Sequence, residues 1–238
     1  MVFQYYDKVI RGTEKEDALV IMQFMKGMIG ENFSFLNYYK EVPVSYDALL
    51  LNVESEMAEF SVHEYQAKVI NLEKMTLIHS HPQSTFFEDM MGEVFYVNSA
   101  KKYVILRNLG YSRIRSGMRK YVRVLLDRIV EAELVLEGDI LKGNVKDISL
   151  GGVALRTLSA DLLMPGLDIT VFLKLPDSSG KPVLDVGLSA TIIKVIGTNA
   201  PFTCLIEFHA EKYSQQQIAY YVNQRQVELI RELKELKV

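Results

Sequence analysis

The sequence predicts a mainly β protein: two β-barrel-like domains, with a helix near the N-terminus and a long helix at the C-terminus. Three observations carry that prediction. Segments rich in β-branched and aromatic residues recur along most of the chain. Clusters of Gly, Pro, Asn, Asp and Ser punctuate them. Sustained helical periodicity is confined to two stretches, one near each end. At 238 residues the chain has room for two modest domains.

The first helix follows a capping box, Thr13 with Glu16, in which hydroxyl and carboxylate each satisfy a free backbone N–H. From there "KEDALVIMQFMKGMIG" sets Leu19, Met22, Met25 and Ile29 on one side, widened by Ile21, Phe24 and Met28, with Gly30 as the stop. The stripe suits core packing, and a Met-rich docking surface is the alternative. The stretches "SFLNYYKEV", "SYDALLLNVE", "EFSVHEYQAKVINLEKMTLIHS" and "GEVFYVNSAKKYVILRNLG" then read as strands, the last as a hairpin turning at Asn98-Ser99-Ala100. They close a domain over residues 1–110. Residues 111–118, "YSRIRSGM", are polar, contain Gly117 and read as a linker.

A second strand set occupies a domain over residues 119–238: "YVRVLLD", "RIVEAELVLEG", "ILKGNVKDIS", "GVALRT", "DITVFLKL", "VLDVGLSATIIKVIG" and "FTCLIEFH". Ala132, Leu134 and Leu136 alternate with Glu131, Glu133 and Val135, which gives one apolar face. Turns are expected at Glu137-Gly138-Asp139, Pro165-Gly166 and Asp177-Ser178-Ser179-Gly180. So many short strands suit a barrel or sandwich. The closing stretch "SQQQIAYYVNQRQVELIRELKELK" aligns Val222, Leu229, Leu233 and Leu236, flanked by Ile218 and Ile230. Such a helix covers a barrel end, packs on the first domain or pairs with a copy of itself, so a homodimer is a reasonable expectation.

Composition excludes several classes. No apolar run approaches the roughly 20 residues of a membrane-spanning helix. The N-terminus lacks a basic region followed by an apolar run, and Cys204 stands alone, so a cytoplasmic location is expected. A pI near 5.9 argues against a nucleic-acid polymer as partner. No phosphate-gripping loop, nucleophile elbow or zinc-protease motif is present. His79 and His81 in "HSHP" lack a matching cysteine pair or enough further histidines for a metal site. Cys204, in the apolar "PFTCLIEF", reads as a buried thiol. No set of residues assembles into an active site, so no enzyme, metal or cofactor is expected.

The charge distribution is uneven. The net charge is −3, yet the window from Val94 to Leu126 holds eight cations and no acid, which leaves −3 − 8 = −11 for the rest. Within it "RSGMRKYVRV" places Arg115, Arg119 and Arg123 four apart, with Lys120 between. Guanidinium groups grip phosphate oxygens in pairs and stack flat on aromatic rings, so a segment bearing them suits a ligand that combines phosphates with purines. A solvated basic linker is the plainer reading. A second motif follows: "DISLGG" sets Asp147, Ser149 and Gly152 at D-x-S-x-x-G spacing, with Gly151 inside it. A carboxylate there can accept two N–H bonds from a guanine edge, although the same string also makes an ordinary turn.

R-x-x-x-R entering a strand set, followed by D-x-S-x-x-G, resembles the PilZ family, whose members bind the bacterial second messenger cyclic di-GMP. The resemblance covers roughly residues 113–212. It implies a six-stranded PilZ barrel, with Arg119 and Arg123 gripping phosphate and guanine, Asp147 and Ser149 reading a guanine edge, and Gly152 permitting close approach. Lys120 keeps charge without a planar stacking surface. Arg115 makes a second R-x-x-x-R with Arg119, and the apolar run after Arg123 favours the 119/123 register.

The layout also resembles the two-domain flagellar-brake subgroup, which implies a split-barrel-like N-terminal domain. It further implies a change of interdomain orientation on binding and a protein partner, with the flagellar motor as candidate. Two rival readings stay open: a PilZ-fold interaction module without ligand, and contact of the basic stretch with RNA or DNA.

Overall fold

The computed structural model describes residues 5–79, 88–115, 120–136, 138–176, 184–209 and 211–236. Outside them fall Arg119, Gly117, His81, Glu137 and the expected turn Asp177-Ser178-Ser179-Gly180. The chain is mainly strand and divides into two compact units. The first comprises Met1–Tyr39, Pro43–Arg119 and Arg231–Val238; the second comprises Lys40–Val42 and Lys120–Ile230.

The first unit is a closed barrel of six strands: β2 (Asn32–Tyr39), β3 (Val42–Glu54), β4 (Met57–Ser61), β5 (Met75–His79), β6 (Met90–Asn98) and β7 (Tyr103–Ile114). Pairing runs β7-β4-β3-β2-β5-β6 and returns from β6 to β7. Closure satisfies the edges that an open sheet would expose. A short β1 (Tyr6–Val9) adds to β7, antiparallel, and so precedes the expected N-terminal helix. The β6–β7 hairpin turns where expected, with Asn98 Oδ1 accepting from the Lys101 N–H at 2.9 Å. β7 runs on to Ile114, so Tyr111–Ile114, read from sequence as linker, are strand.

Helix α1 (Glu14–Lys26) starts on the expected capping box: Glu16 N–H donates to Thr13 Oγ1 at 3.2 Å, and Thr13 N–H to Glu16 Oε2 at 2.9 Å. Ile21, Met22 and Met25 enter a core with Phe35, Leu50, Phe60 and Leu106. The expected stripe was too long, but its widening holds: Ile21 is fully buried, and Phe24 and Met28 pack against the core. Leu19 lies off the buried face and is half exposed, as is Ile29, because the helix ends at Lys26 with Gly27 as cap rather than at Gly30.

A second helix, α2 (Glu64–Glu73), replaces the strand expected there. His63 starts it by accepting the Tyr65 N–H on Nδ1 at 3.2 Å, and Lys74 ends it in the left-handed region at φ 60°. Val69 and Ile70 made this stretch look like strand, but here both are buried on a helix. Below α2 sits a buried polar node. Asn37 donates to Glu73 Oε2 and to the Met75 carbonyl, both at 2.7 Å, and accepts from Gln66 at 2.6 Å and Thr76 at 2.8 Å. Asn37, bonded through both its amide nitrogen and its oxygen, ties β2, α2 and β5 into one arrangement.

The second unit is another closed six-stranded barrel: β9 (Glu131–Leu136), β10 (Asp139–Ser149), β11 (Gly152–Thr157), β12 (Asp168–Leu175), β13 (Leu184–Ile196) and β14 (Phe202–Phe208). Its order is β10-β11-β14-β13-β12-β9 and back to β10. Ala132, Leu134 and Leu136 face inward as the alternation requires, with Ile148, Leu155, Val171, Leu173 and Cys204. "YVRVLLD" yields only the two-residue β8 (Val124–Leu125), paired with β10.

Helix α3 (Lys212–Glu235) buries Ile218, Tyr221, Val222, Leu229 and Leu233, whereas Ile230 is exposed. On the same face lies Arg225, only 5% exposed. Its guanidinium donates to Asp127 at 2.6 Å and to Glu228 at 2.8 Å, so its charge is matched inside the fold. Asp127 also accepts from Lys40 Nζ at 2.9 Å. No helix among the described residues is long and apolar enough to cross a membrane.

Candidate functional site

Two elements of the second unit bring the described motif residues together. β10 carries Asp147 and Ser149 and turns directly into β11 at Gly152. Beside them runs β8, with Val124 opposite Ile148 and Leu125 opposite Asp147. Continuing that register sets Arg123 opposite Ser149. The β10–β11 pairing slips between Val145 and Asp147, a bulge at Lys146 that changes which side chains precede the turn. The Leu126 N–H donates to the Lys146 carbonyl at 3.0 Å and so ties the end of β8 to that bulge.

Arg123 Nη1 stands 3.9 Å from Asp147 Oδ1. That separation allows Coulomb attraction but exceeds a hydrogen bond. Burial separates the partners: the Asp147 side chain is 3% exposed, that of Arg123 36%. The carboxylate is therefore fixed in the wall while the guanidinium reaches the surface. An arginine held this loosely can turn its donors to an incoming anion while its charge stays near the carboxylate. Ser149 Oγ donates to the Gly152 carbonyl at 3.3 Å and closes the turn on itself.

The two glycines of "DISLGG" have distinct surroundings. A Cβ on Gly152 would lie 2.2 Å from the Ile206 carbonyl oxygen of β14. The position opposes Glu207 in the β11–β14 ladder, so the neighbouring strand itself requires a residue without a side chain. A Cβ on Gly151 would instead meet the Tyr121 ring, at 2.9 Å from Cδ2 and 3.2 Å from Cε2. Lys120 Nζ stands 5.2 Å from the centroid of the same ring, within cation–π range. Sequence reasoning missed the contact of Tyr121 with this turn. Its one signal was an aromatic ring set among the motif cations.

Arg115 is held in the first unit. Its Nε and Nη2 grip both carboxylate oxygens of Asp7 on β1, and its N–H donates to the Tyr5 carbonyl at 2.8 Å. The paired carboxylate raises its already high pKa. A fork of this kind commits both guanidinium edges to Asp7.

The remaining candidates have structural partners. His79 Nδ1 is 3.2 Å from Asp89, and His209 Nε2 is 2.7 Å from Thr191 Oγ1. No group of three His, Cys, Asp or Glu among the described residues could hold a metal ion. Cys204 is fully buried, and burial pushes its thiol up to about 11, away from the thiolate that nucleophilic chemistry requires.

Comparison with known proteins adds a family. No curated protein matches the chain. Among solved structures, the Escherichia coli protein YcgR in complex with c-di-GMP is 11% identical, with TM-score 0.45 over 100% of this chain and 99% of that one. The Bacillus subtilis inhibitor of motility MotI/DgrA is 14% identical, with TM-score 0.43 over 84% and 97%. The c-di-GMP-bound PilZ domain of Escherichia coli YcgR is 17% identical, with TM-score 0.41 over 50% and 98%. The family model described as PilZ domain matches residues 118–224. That span contains the second barrel together with Arg123, Asp147, Ser149 and Gly152, and this part of the chain is a PilZ domain.

Proposed function

We propose that the chain is a non-enzymatic receptor for cyclic di-GMP, bound at the turn between β10 and β11. The observation that carries this reading is the Arg123–Asp147 pair, set beside Ser149 in a PilZ domain. Asp147 accepts N–H bonds from a guanine edge, Ser149 adds a polar contact, and Arg123 swings from its 3.9 Å pair onto phosphate or guanine. Arg119 supplies the second guanidinium and Lys120 further positive charge. The ligand needs no cofactor.

Binding changes the orientation of the two units, and so the surface offered to a protein partner. Regulation of motility through the flagellar motor is the output we assign, in the cytoplasm where the messenger is made. Arg115, gripped by Asp7, stays outside the clamp.

Calorimetry with cyclic di-GMP tests the reading. The wild type is expected to bind at micromolar affinity or tighter. Arg123→Ala and Asp147→Ala should each lose about tenfold or more, since a hydrogen bond to a charged group is worth about 1.5–3 kcal/mol. A wild type that does not bind removes the receptor; equal binding by Arg123→Ala removes the residue assignment. Small-angle scattering that is unchanged by saturating ligand removes the reorientation.

A further inference from the structure

We infer that Tyr121 is a positioning residue for this site, a ring that locks the arginine-bearing segment onto the ligand-binding turn through Gly151. The inference rests on the receptor reading and adds to it which side chain holds Arg123 in place.

Arg123 stands between two anchors. After it, Val124 is fully buried opposite Ile148, and Leu126 bonds the β10 bulge at 3.0 Å. Before it, Tyr121 rests on Gly151, close enough that a methyl group there would fall 2.9 Å from the ring. Exposed Val122 lies in the same short span. With both ends pinned, the backbone at Arg123 has little freedom, and its guanidinium stays within 3.9 Å of Asp147 while still reaching the surface. Lys120, 5.2 Å from the ring centroid, is placed by the same ring. Tyr121 thus sets two of the site's cations while needing no contact with ligand itself. Gly151 is the complementary half, because any side chain there displaces the ring.

The lock makes a non-additive prediction, which separates positioning from simple loss of packing. Gly151→Ala should weaken cyclic di-GMP binding about tenfold, equivalent to ~1.4 kcal/mol. Tyr121→Ala should weaken it to a similar degree, and Tyr121→Phe should retain affinity because the ring is kept. In the Tyr121→Ala background Gly151→Ala should change affinity by no more than about twofold, since nothing remains for the methyl to strike.

A second readout needs no ligand. Hydrogen exchange at the Leu126 amide should accelerate by about tenfold in unliganded Gly151→Ala and Tyr121→Ala, with the melting temperature little changed, as expected for local release. Equal loss of binding on Gly151→Ala in both backgrounds, or unaltered Leu126 exchange, would overturn the lock. If the wild type fails to bind cyclic di-GMP, the receptor reading falls, and the exchange result alone decides whether Tyr121 holds the segment.

Discussion

Replacing Gly152 by alanine tests what the motif glycine is for. The new Cβ would sit 2.2 Å from the Ile206 carbonyl oxygen, against an ordinary carbon-to-oxygen approach of about 3.3–3.6 Å. The obstacle is backbone, so β11 and β14 must part by roughly 1 Å, which no rotamer change relieves. Overpacking of this kind costs about 1–3 kcal/mol, and parting the strands weakens ladder hydrogen bonds worth about 0.5–1.5 kcal/mol each. A total of about 2–4 kcal/mol in a domain of this size lowers the melting temperature by roughly 10–20 °C. The assay is thermal unfolding of the unliganded protein, followed by circular dichroism or calorimetry. If Gly152→Ala melts with the wild type and loses only ligand binding, the reasoning fails, and the glycine serves ligand approach as the family motif implies.

Two further outcomes concern ionisation. Burial alone would raise the Asp127 carboxyl, but hydrogen bonds and attraction from Lys40 and Arg225 outweigh it and hold the group down to about 2. A depressed carboxylate contributes stability above its unfolded value of about 3.9 and loses it as the pH falls through about 2. Asp127→Asn should flatten the acid limb of the stability–pH curve and, by weakening the cage around Arg225, cost about 1.5–3 kcal/mol at neutral pH. An unchanged acid limb, measured by urea unfolding from pH 5 downward, would refute it. At the alkaline end, burial and then the 2.6 Å bond to Glu59 push Tyr103 up to about 12, and burial does the same for Tyr221. Raised phenols stabilise the fold fully below about pH 10, and that contribution disappears as the pH rises through about 12. Phenolate absorbance should show late-titrating tyrosines, Tyr103, Tyr111 and Tyr221 among them, and Tyr103→Phe should remove one.

Local signals were legible in the sequence wherever the physics that decides them is local. The Thr13–Glu16 box, the alternation in β9 and the Asn98 turn all survive into the structure because each depends on near neighbours along the chain. Where the deciding partner is remote, the reading failed or gave an incomplete reason. Helix α2 hid behind β-branched Val69 and Ile70, whose fate is set by packing rather than propensity. The partner of Arg115 is Asp7, 108 residues away, which no near neighbour in the sequence signals. Gly152 looked like room for a ligand, yet its constraint comes from β14. The residue types at the site were readable, but which of them serve the barrel was not.

β10 is one edge of the seam that closes the second barrel, and it also carries Asp147 and Ser149. One strand therefore answers to two selective pressures at once. Substitutions that retune its polar side chains also disturb the seam, and drift in the seam displaces the polar side chains. Specificity in such a protein is expected to evolve at exposed positions of the flanking segment, such as Val122, because that segment contributes only two residues to the sheet.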